Sequence, residues 1–532
     1  MIRRRPLIFW LLLAAALGAA AWWVLYTPYR PEHMYRALPA QTAFVSAHRD
    51  LAGRWENIYR NPLIQTLFLA FGVKPAELDE LSADPVARQW LQQLAGDEAL
   101  VAYVPTLGTP GEPAWIIVTW LGAKSQRLRW NLHWAKIREL TAHPPYRGWP
   151  SWTLDTGEED EPKLTFALVE GMGIGVFSAD PRLLNEVLDA LDGVRPSLEA
   201  QPGFPGRTGI WCRDPKAPDR GWVDPSALWG GVTSPVGAVA YECSYLHSGG
   251  LRGCVTGRDP FAVEFSRAPR LKANGLDRLL GDLPQGLALL SPSLVLPYME
   301  QPKRAAWMRL TAEIIRLEKA NVIALAILGD DYSGRLKGIK LPTVVGAIPV
   351  GKNEMVATWL REALDRLNAR YRWGLVPREV AAGRGWMTII EGTSTNFLAG
   401  LQPSECPAYM LRDGWLVLAS NSAGLEKLAD RFDALPTNQP PRVSWMRDLD
   451  TEPAPAYVWL DLARAGKTLR MVLSTYSLKL LLEDPGGSQE TRQKLNEAKA
   501  WVDSLMPLSR ARFWMRSDGT RMEVSYRLGP ER

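Results

Sequence analysis

One pattern of apolar and polar positions occurs twice along the chain. Residues 164–191 read LTFALVEGMGIGVFSADPRLLNEVLDAL and residues 407–435 read PAYMLRDGWLVLASNSAGLEKLADRFDAL. Each is an apolar run, a turn, a second apolar run ending in serine (Ser178, Ser420), then an amphipathic helix. Glu170-Gly171 makes the first turn. Asp413-Gly414 makes the second, a pair suited to tight hairpins because it tolerates positive φ. Asp180-Pro181 predicts an N-cap with proline at the first helical position, and Ser422 stands at the equivalent place. Leu183, Leu184, Val187, Leu188 and Leu191 line one face of the first helix; Leu425, Leu428, Phe432 and Leu435 line that of the second. Gly171, Gly173 and Gly175 leave the first strand pair bare where Trp415 and Leu416 fill the second, which suggests a close backbone approach in the first copy.

Other landmarks recur in the same order. In the first half a strand begins at Ala43-Phe44-Val45 after Leu38-Pro39-Ala40. Helices follow over 55–71 and 85–94, strands over 98–104 and 115–120, and a helix over 124–140. A turn-rich loop with the acidic run Glu158–Glu161 then leads to the repeated motif. In the second half Leu283-Pro284-Gln285 opens the series. A helix over 304–319, strands over 322–328 and 343–348, a helix over 354–370 and a strand over 386–390 follow. Ala456–Leu462 (AYVWLDL) echoes Gly209–Pro215 (GIWCRDP), and each half closes on a hairpin. The predicted fold class is therefore α+β: two tandem, duplicated modules of antiparallel sheet with packed helices, at residues 38–268 and 283–528, joined by 269–282.

The N-terminus changes the picture. Residues 7–26 (LIFWLLLAAALGAAAWWVLY) carry no charge, and twenty helical residues span about 30 Å, one bilayer core. Leu7 opens the run. Trp10 near one end and Trp22, Trp23 and Tyr26 at the other suit the interfacial aromatic belts. Arg3, Arg4 and Arg5 before it predict a cytoplasmic tail over 1–6 and an extracytoplasmic body beyond a spacer over 27–37. A cleaved signal peptide is the competing reading. The apolar run continues past the small residues Ala19–Ala21, which favours an uncleaved anchor. The expected place is the bacterial inner membrane, with the body in the periplasm.

Composition fits a folded body of more than one domain, at 532 residues, 46% hydrophobic and 22% charged. The net charge of +5 is spread among mixed signs, so no basic tract points to nucleic acid. The 23 tryptophans are read chiefly as packing, with some available for a binding face.

Candidate chemistry is sparse. In an oxidising compartment Cys243 and Cys254 could close a short hairpin. A metal set of Cys212, Cys243, His247 and Cys254 fits no strong zinc spacing. Residues 346–352 (GAIPVGK) match a phosphate-binding loop in form. Asn353 nevertheless removes the magnesium hydroxyl, and Pro349 removes a backbone donor. His48, with Asp50 nearby, lacks a nucleophile motif. His133 lies on a helix between tryptophans. Asp214 and Asp461 occupy matching places and read as caps. No catalytic residue, cofactor or metal is expected from this inventory.

The layout resembles a bacterial envelope family of unknown function with one N-terminal membrane segment. The resemblance rests on an LPA-x-T opening (Leu38, Pro39, Ala40, Gln41, Thr42) and a G-[DG]-E-[AL] strand (Gly96, Asp97, Glu98, Ala99). It covers most of the first module and the second only loosely. It implies location and architecture, and carries over no catalytic residues. The expected function is a non-catalytic binding or assembly subunit whose partner is an envelope protein, with a lipid as a second possibility. The alternative is an extracytoplasmic, hydrolase-like enzyme with dispersed residues in the cleft between modules.

Overall fold

The structure is a computed structural model. It describes residues 13–19 and 28–529 except 31, 62–63, 66–67, 69–74, 106–113, 135–139, 156–162, 202, 206–216, 229–236, 246–249, 259–270, 272–274, 301–305, 337–338, 352, 394–397, 399, 436–442, 444, 447–453, 484–488 and 518–519. Helix and strand are mixed and the sheets are antiparallel, an α+β fold. The chain divides into two compact units: residues 1–59, 74–244 and 254–258, and residues 60–73, 245–253 and 259–532. No described helix is long and apolar enough to cross a membrane, and the expected anchor residues Leu7, Trp10, Trp22, Trp23 and Tyr26 lie outside the described residues.

The first unit opens with β1 (Phe44–Arg49), β2 (Glu98–Tyr103), β3 (Trp115–Trp120), β4 (Leu140–Tyr146) and β5 (Trp149–Leu154). It continues with β6 (Leu164–Val169), β7 (Ile174–Ser178), β8 (Asp219–Val223), β9 (Val239–Tyr245) and β10 (Leu251–Arg258). They pair in the order β4-β5-β6-β7-β3-β2-β1-β8-β9-β10. Strands covered on both faces read as continuous apolar runs rather than alternating ones. In β6, Ala167 and Val169 face the helix Pro181–Leu191, packing with its Leu183, Leu184, Val187 and Leu188. Phe166 and Leu168 face the other way, against Leu128 and Leu132 of the helix Lys124–Trp134. Each fully buried leucine contributes roughly 1.5–3 kcal/mol.

The second unit contains β11 (Pro284–Leu290), β12 (Ile323–Leu328), the short pair β13 (Gly334–Leu336) and β14 (Ile339–Leu341), and β15 (Val344–Pro349). After these come β16 (Leu375–Ala382), β17 (Gly385–Gly392), β18 (Ala408–Arg412) and β19 (Trp415–Ala419). β20 (Ala456–Asp461), β21 (Arg510–Ser517) and β22 (Arg521–Leu528) complete it. Leaving the β13–β14 ribbon aside, the order is β16-β17-β18-β19-β15-β12-β11-β20-β21-β22. Counted from each unit's own first strand, this is the order of the first unit. Leu425, Leu428 and Phe432 of the helix Ser422–Ala434 cover one face, and Val356 and Leu360 of the helix Asn353–Tyr371 cover the other.

Several expectations are corrected. The helix after β3 is described over Lys124–Trp134, residues 135–139 of the expected helix lie outside the described residues, and Leu140 begins a strand. The hairpin β4–β5 occupies what read as loop, because Pro144 and Pro145 argue against a strand. β16 carries Pro377 and was likewise not anticipated. In the described pairings β4 and β16 each pair on one side, where proline removes no ladder bond and discourages edge-to-edge association. The N-cap of the second repeated helix is Asn421, whose side chain accepts from the Gly424 N–H at 2.8 Å; Ser422 is the first helical residue. Asp180 caps the first helix as expected. Within the expected spacer, Met34 and Tyr35 are fully buried in the first unit's core. Within the expected joint, Leu276–Leu280 is a helix buried in the second unit's core. The long helices Leu462–Glu483 and Gln489–Leu505 were not foreseen.

Candidate functional site

A polar cluster of the first unit forms where β1 meets β8. Their register sets His48 directly across from Asp219. His48 Nδ1 lies 2.7 Å from the Asp219 carboxylate. The helix Leu51–Tyr59 begins two residues after β1 ends and turns Arg54 back onto the same carboxylate, with contacts of 2.6 and 2.8 Å. Arg54 also donates twice to the Arg49 carbonyl, so strand, helix and β8 are tied at one point. The Asp219 side chain is only 3% exposed. Burial pushes its carboxyl up, but the hydrogen bonds from His48 and Arg54 and their attraction outweigh it, and the group sits below the usual carboxylate range.

Asp50, the neighbour expected for His48, instead takes a positive φ of 48° and accepts from the Gly53 N–H at the helix start. A histidine held by a buried carboxylate is the arrangement that orients a general base, and it acts only with a nucleophile or acidic proton at its other nitrogen. No hydroxyl or thiol among the described residues hydrogen-bonds there. The Ser46 hydroxyl accepts from Tyr241 at 2.8 Å. Cys243 faces Asp219 from β9, two strands from His48 and so about 10 Å away. Burial raises the Tyr241 phenol far above its ordinary range, which keeps it a hydrogen-bond donor. Its ring lies across Gly221, where a Cβ would collide with it.

On the opposite face of the sheet, Glu98 is fully buried. It accepts from the Tyr29 hydroxyl and lies 3.6 Å from Arg220, which in turn donates to Tyr35 at 3.2 Å. Burial pushes the Tyr35 phenol up to about 12. Glu98 belongs to the G-[DG]-E-[AL] stretch, and Thr42 of the LPA-x-T stretch bonds the Pro39 carbonyl at 2.7 Å. Both motifs therefore hold structure here.

The second unit has no such cluster at the matching place. Trp222 in β8 and Trp459 in β20 pair with Val45 and Leu287, which sets the correspondence between sheets. At the position of His48 and Asp219 stand Leu290 and Ala456, packed with Leu294. The same register shows that Asp461 corresponds to Asp224 and not to Asp214, which lies outside the described residues. Asp224 accepts from Ser226 N–H at 2.9 Å and Asp461 from Arg464 N–H at 2.9 Å, so both start helices.

A carboxylate clasp does recur. Asp189, on the helix after β7, accepts from Tyr146 at 3.0 Å and Arg147 at 2.6 Å at the tip of β4–β5. Asp433, on the helix after β19, accepts from the Arg384 N–H at the tip of β16–β17 and from Arg412. Burial pushes the Asp433 carboxyl up, but the bonds from Arg384 and Arg412 and their attraction together outweigh it and hold the group below the usual range.

The remaining expectations resolve as follows. Cys254 is disulfide-bonded, whereas Cys243 keeps its thiol and Cys406 is a buried thiol, so the Cys243–Cys254 bridge is not formed and the partner of Cys254 lies outside the described residues. Cys212, His247, Lys352 and the acidic run Glu158–Glu161 lie outside them too. The Gly351 N–H, which a phosphate would need, is taken by the Glu318 carboxylate. At Gly175 a Cβ would meet Leu121 at 2.9 Å and Phe177 at 3.1 Å, so the bare strand is filled by neighbouring side chains.

Large aromatics are exposed instead. Trp130 is 72%, Trp134 81% and Trp386 69% exposed, while Trp222, Trp415, Trp445 and Trp459 are core. His133 is exposed beside Trp134, their rings 5.5 Å apart. No known protein family matches the chain, and no curated protein or solved structure does.

Proposed function

We propose that this protein is a single-pass, membrane-anchored scaffold of the bacterial envelope. Its N-terminus is cytoplasmic, its periplasmic body is two copies of one ten-stranded module, and it binds or assembles another envelope component without chemistry of its own. The observation that carries the binding reading is the division of labour among its side chains. His48 and Arg54 are both taken up by Asp219, and on the other face Arg220 pairs with Glu98, while Trp130, Trp134 and Trp386 face solvent. Buried polar groups paired with one another hold a fold in one arrangement. Exposed tryptophan is the residue most enriched at interfaces. The shared strand order and the recurring clasp support duplication. The loss of the His48–Asp219 pair in the second copy fits a role in folding one module.

The test is purification of the full chain from detergent-solubilised membranes after crosslinking in intact cells, followed by mass spectrometry. A stoichiometric envelope protein is expected. Recovery of the chain alone at full yield overturns the partner reading.

A further inference from the structure

The helix Lys124–Trp134 reads KSQRLRWNLHW and contains no acidic residue. Leu128 and Leu132 seat it on the first unit's sheet. Arg127, Trp130 and Trp134 share the outward stripe at i, i+3 and i+7, with Arg129 and His133 exposed beside it. Asp97 lies 3.5 Å from Lys124 at its start. The helix Asn353–Tyr371, which follows the matching strand in the second unit, carries Glu354, Glu362 and Asp365 and has no such stripe.

The chain entering the first unit lies close by. The Tyr29 ring packs edge-on against Trp120 with centroids 5.1 Å apart, and its hydroxyl bonds Glu98. Trp120 ends β3, four residues before the helix starts. Only three residue steps separate Tyr26 from Tyr29, at most about 11 Å of chain. From Trp120 to Trp134 the reach is at most about 30 Å.

We propose that this helix rests on the membrane, with Trp130 and Trp134 in the headgroup region and Arg127 against anionic lipid. The inference rests on residues 7–26 being the anchor. A tether of about 11 Å leaves the first unit no room to stand away from the bilayer. Tryptophan's apolar ring and polar N–H suit the headgroup layer, and an acid-free cationic face is attracted to anionic lipid.

The full chain is to be reconstituted into nanodiscs of phosphatidylcholine alone or mixed with phosphatidylglycerol. Tryptophan oxidation by hydroxyl radicals is then read peptide by peptide. Trp130 and Trp134 should oxidise several-fold more slowly in anionic discs than in detergent, while Trp386 keeps its rate. Arg127→Glu should weaken that protection several-fold, one arginine being worth roughly fivefold in surface partition. Unchanged oxidation of Trp130 and Trp134 in anionic discs, with Trp22 and Trp23 protected, overturns the inference and leaves the anchor standing. Loss of protection at Trp22 and Trp23 overturns the anchor itself. Equal protection of Trp130 and Trp134 in neutral and anionic discs overturns the preference for anionic lipid. Protection that appears only after an envelope protein fraction is added overturns the lipid assignment in favour of a protein.

Discussion

Removing Asp219 would leave Arg54 and His48 partly buried against an apolar gap. Asp219→Ala should therefore cost about 3–5 kcal/mol, read by denaturant unfolding of the solubilised chain. Its pKa lies below the unfolded value of about 3.9, so its contribution is fully present above that pH. It is lost as pH falls through the folded value. Asp433 acts with the same sign. Between pH 6 and 3, wild type should lose more thermal stability than Asp219→Asn; parallel losses would contradict the linkage. Gly221→Ala should cost about 1–3 kcal/mol by displacing the Tyr241 ring, and Tyr241→Leu in the same chain should recover part of it. At this scale the sequence was legible only over short range. Asp180 was recognisable as a cap because its signal is local. The second cap was misplaced by one residue because Asn421, Ser422 and Ser420 can all cap. The carboxylate for His48 was unreadable because Asp219 is 171 residues away and is brought there by strand register alone.

Whole elements were clearest where apolar runs are long. β2, β6 and β7 are largely covered on both faces, and their continuous hydrophobicity made them plain. The hairpin β4–β5 and the strand β16 were hidden because prolines on these edge strands mimic loop composition, whereas β17 was legible over 386–390. The clasps predict how these hairpins are held. Asp189→Asn should accelerate amide exchange in Leu140–Leu154, and Asp433→Asn should do so in Leu375–Gly392, each by about 1–3 kcal/mol of local opening free energy. Exchange that rises equally across the whole unit would show that the carboxylate supports the core and not the hairpin tip. The helices Leu462–Glu483 and Gln489–Leu505 escaped notice for a different reason. They follow β20, whereas among the described residues the helix after β8 is Pro225–Leu228, so matching one half to the other passes over them.

For the whole molecule, landmarks recur in one order along the sequence, and the strands of the two units pair in one order. The echo of Ala456–Leu462 with Gly209–Pro215 was out of register, since the spatial match is Gly221–Asp224, a Trp-Val-Asp sequence against Trp-Leu-Asp. In the scaffold reading proposed above, the polar clusters of the first unit support the fold. His48→Ala should then lower the unfolding temperature while leaving partner recovery unchanged below that temperature; loss of a measurable activity at full stability would point to chemistry instead. Placement in the envelope depends on residues 7–26, and it is tested most directly by fusing a reporter that is active only in the periplasm after Arg532. An anchor with its body beyond the inner membrane predicts an active reporter in the membrane fraction, silent once Leu11 and Leu12 are both replaced by arginine. An inactive fusion, with a cytoplasm-dependent reporter active at the same position, would contradict it.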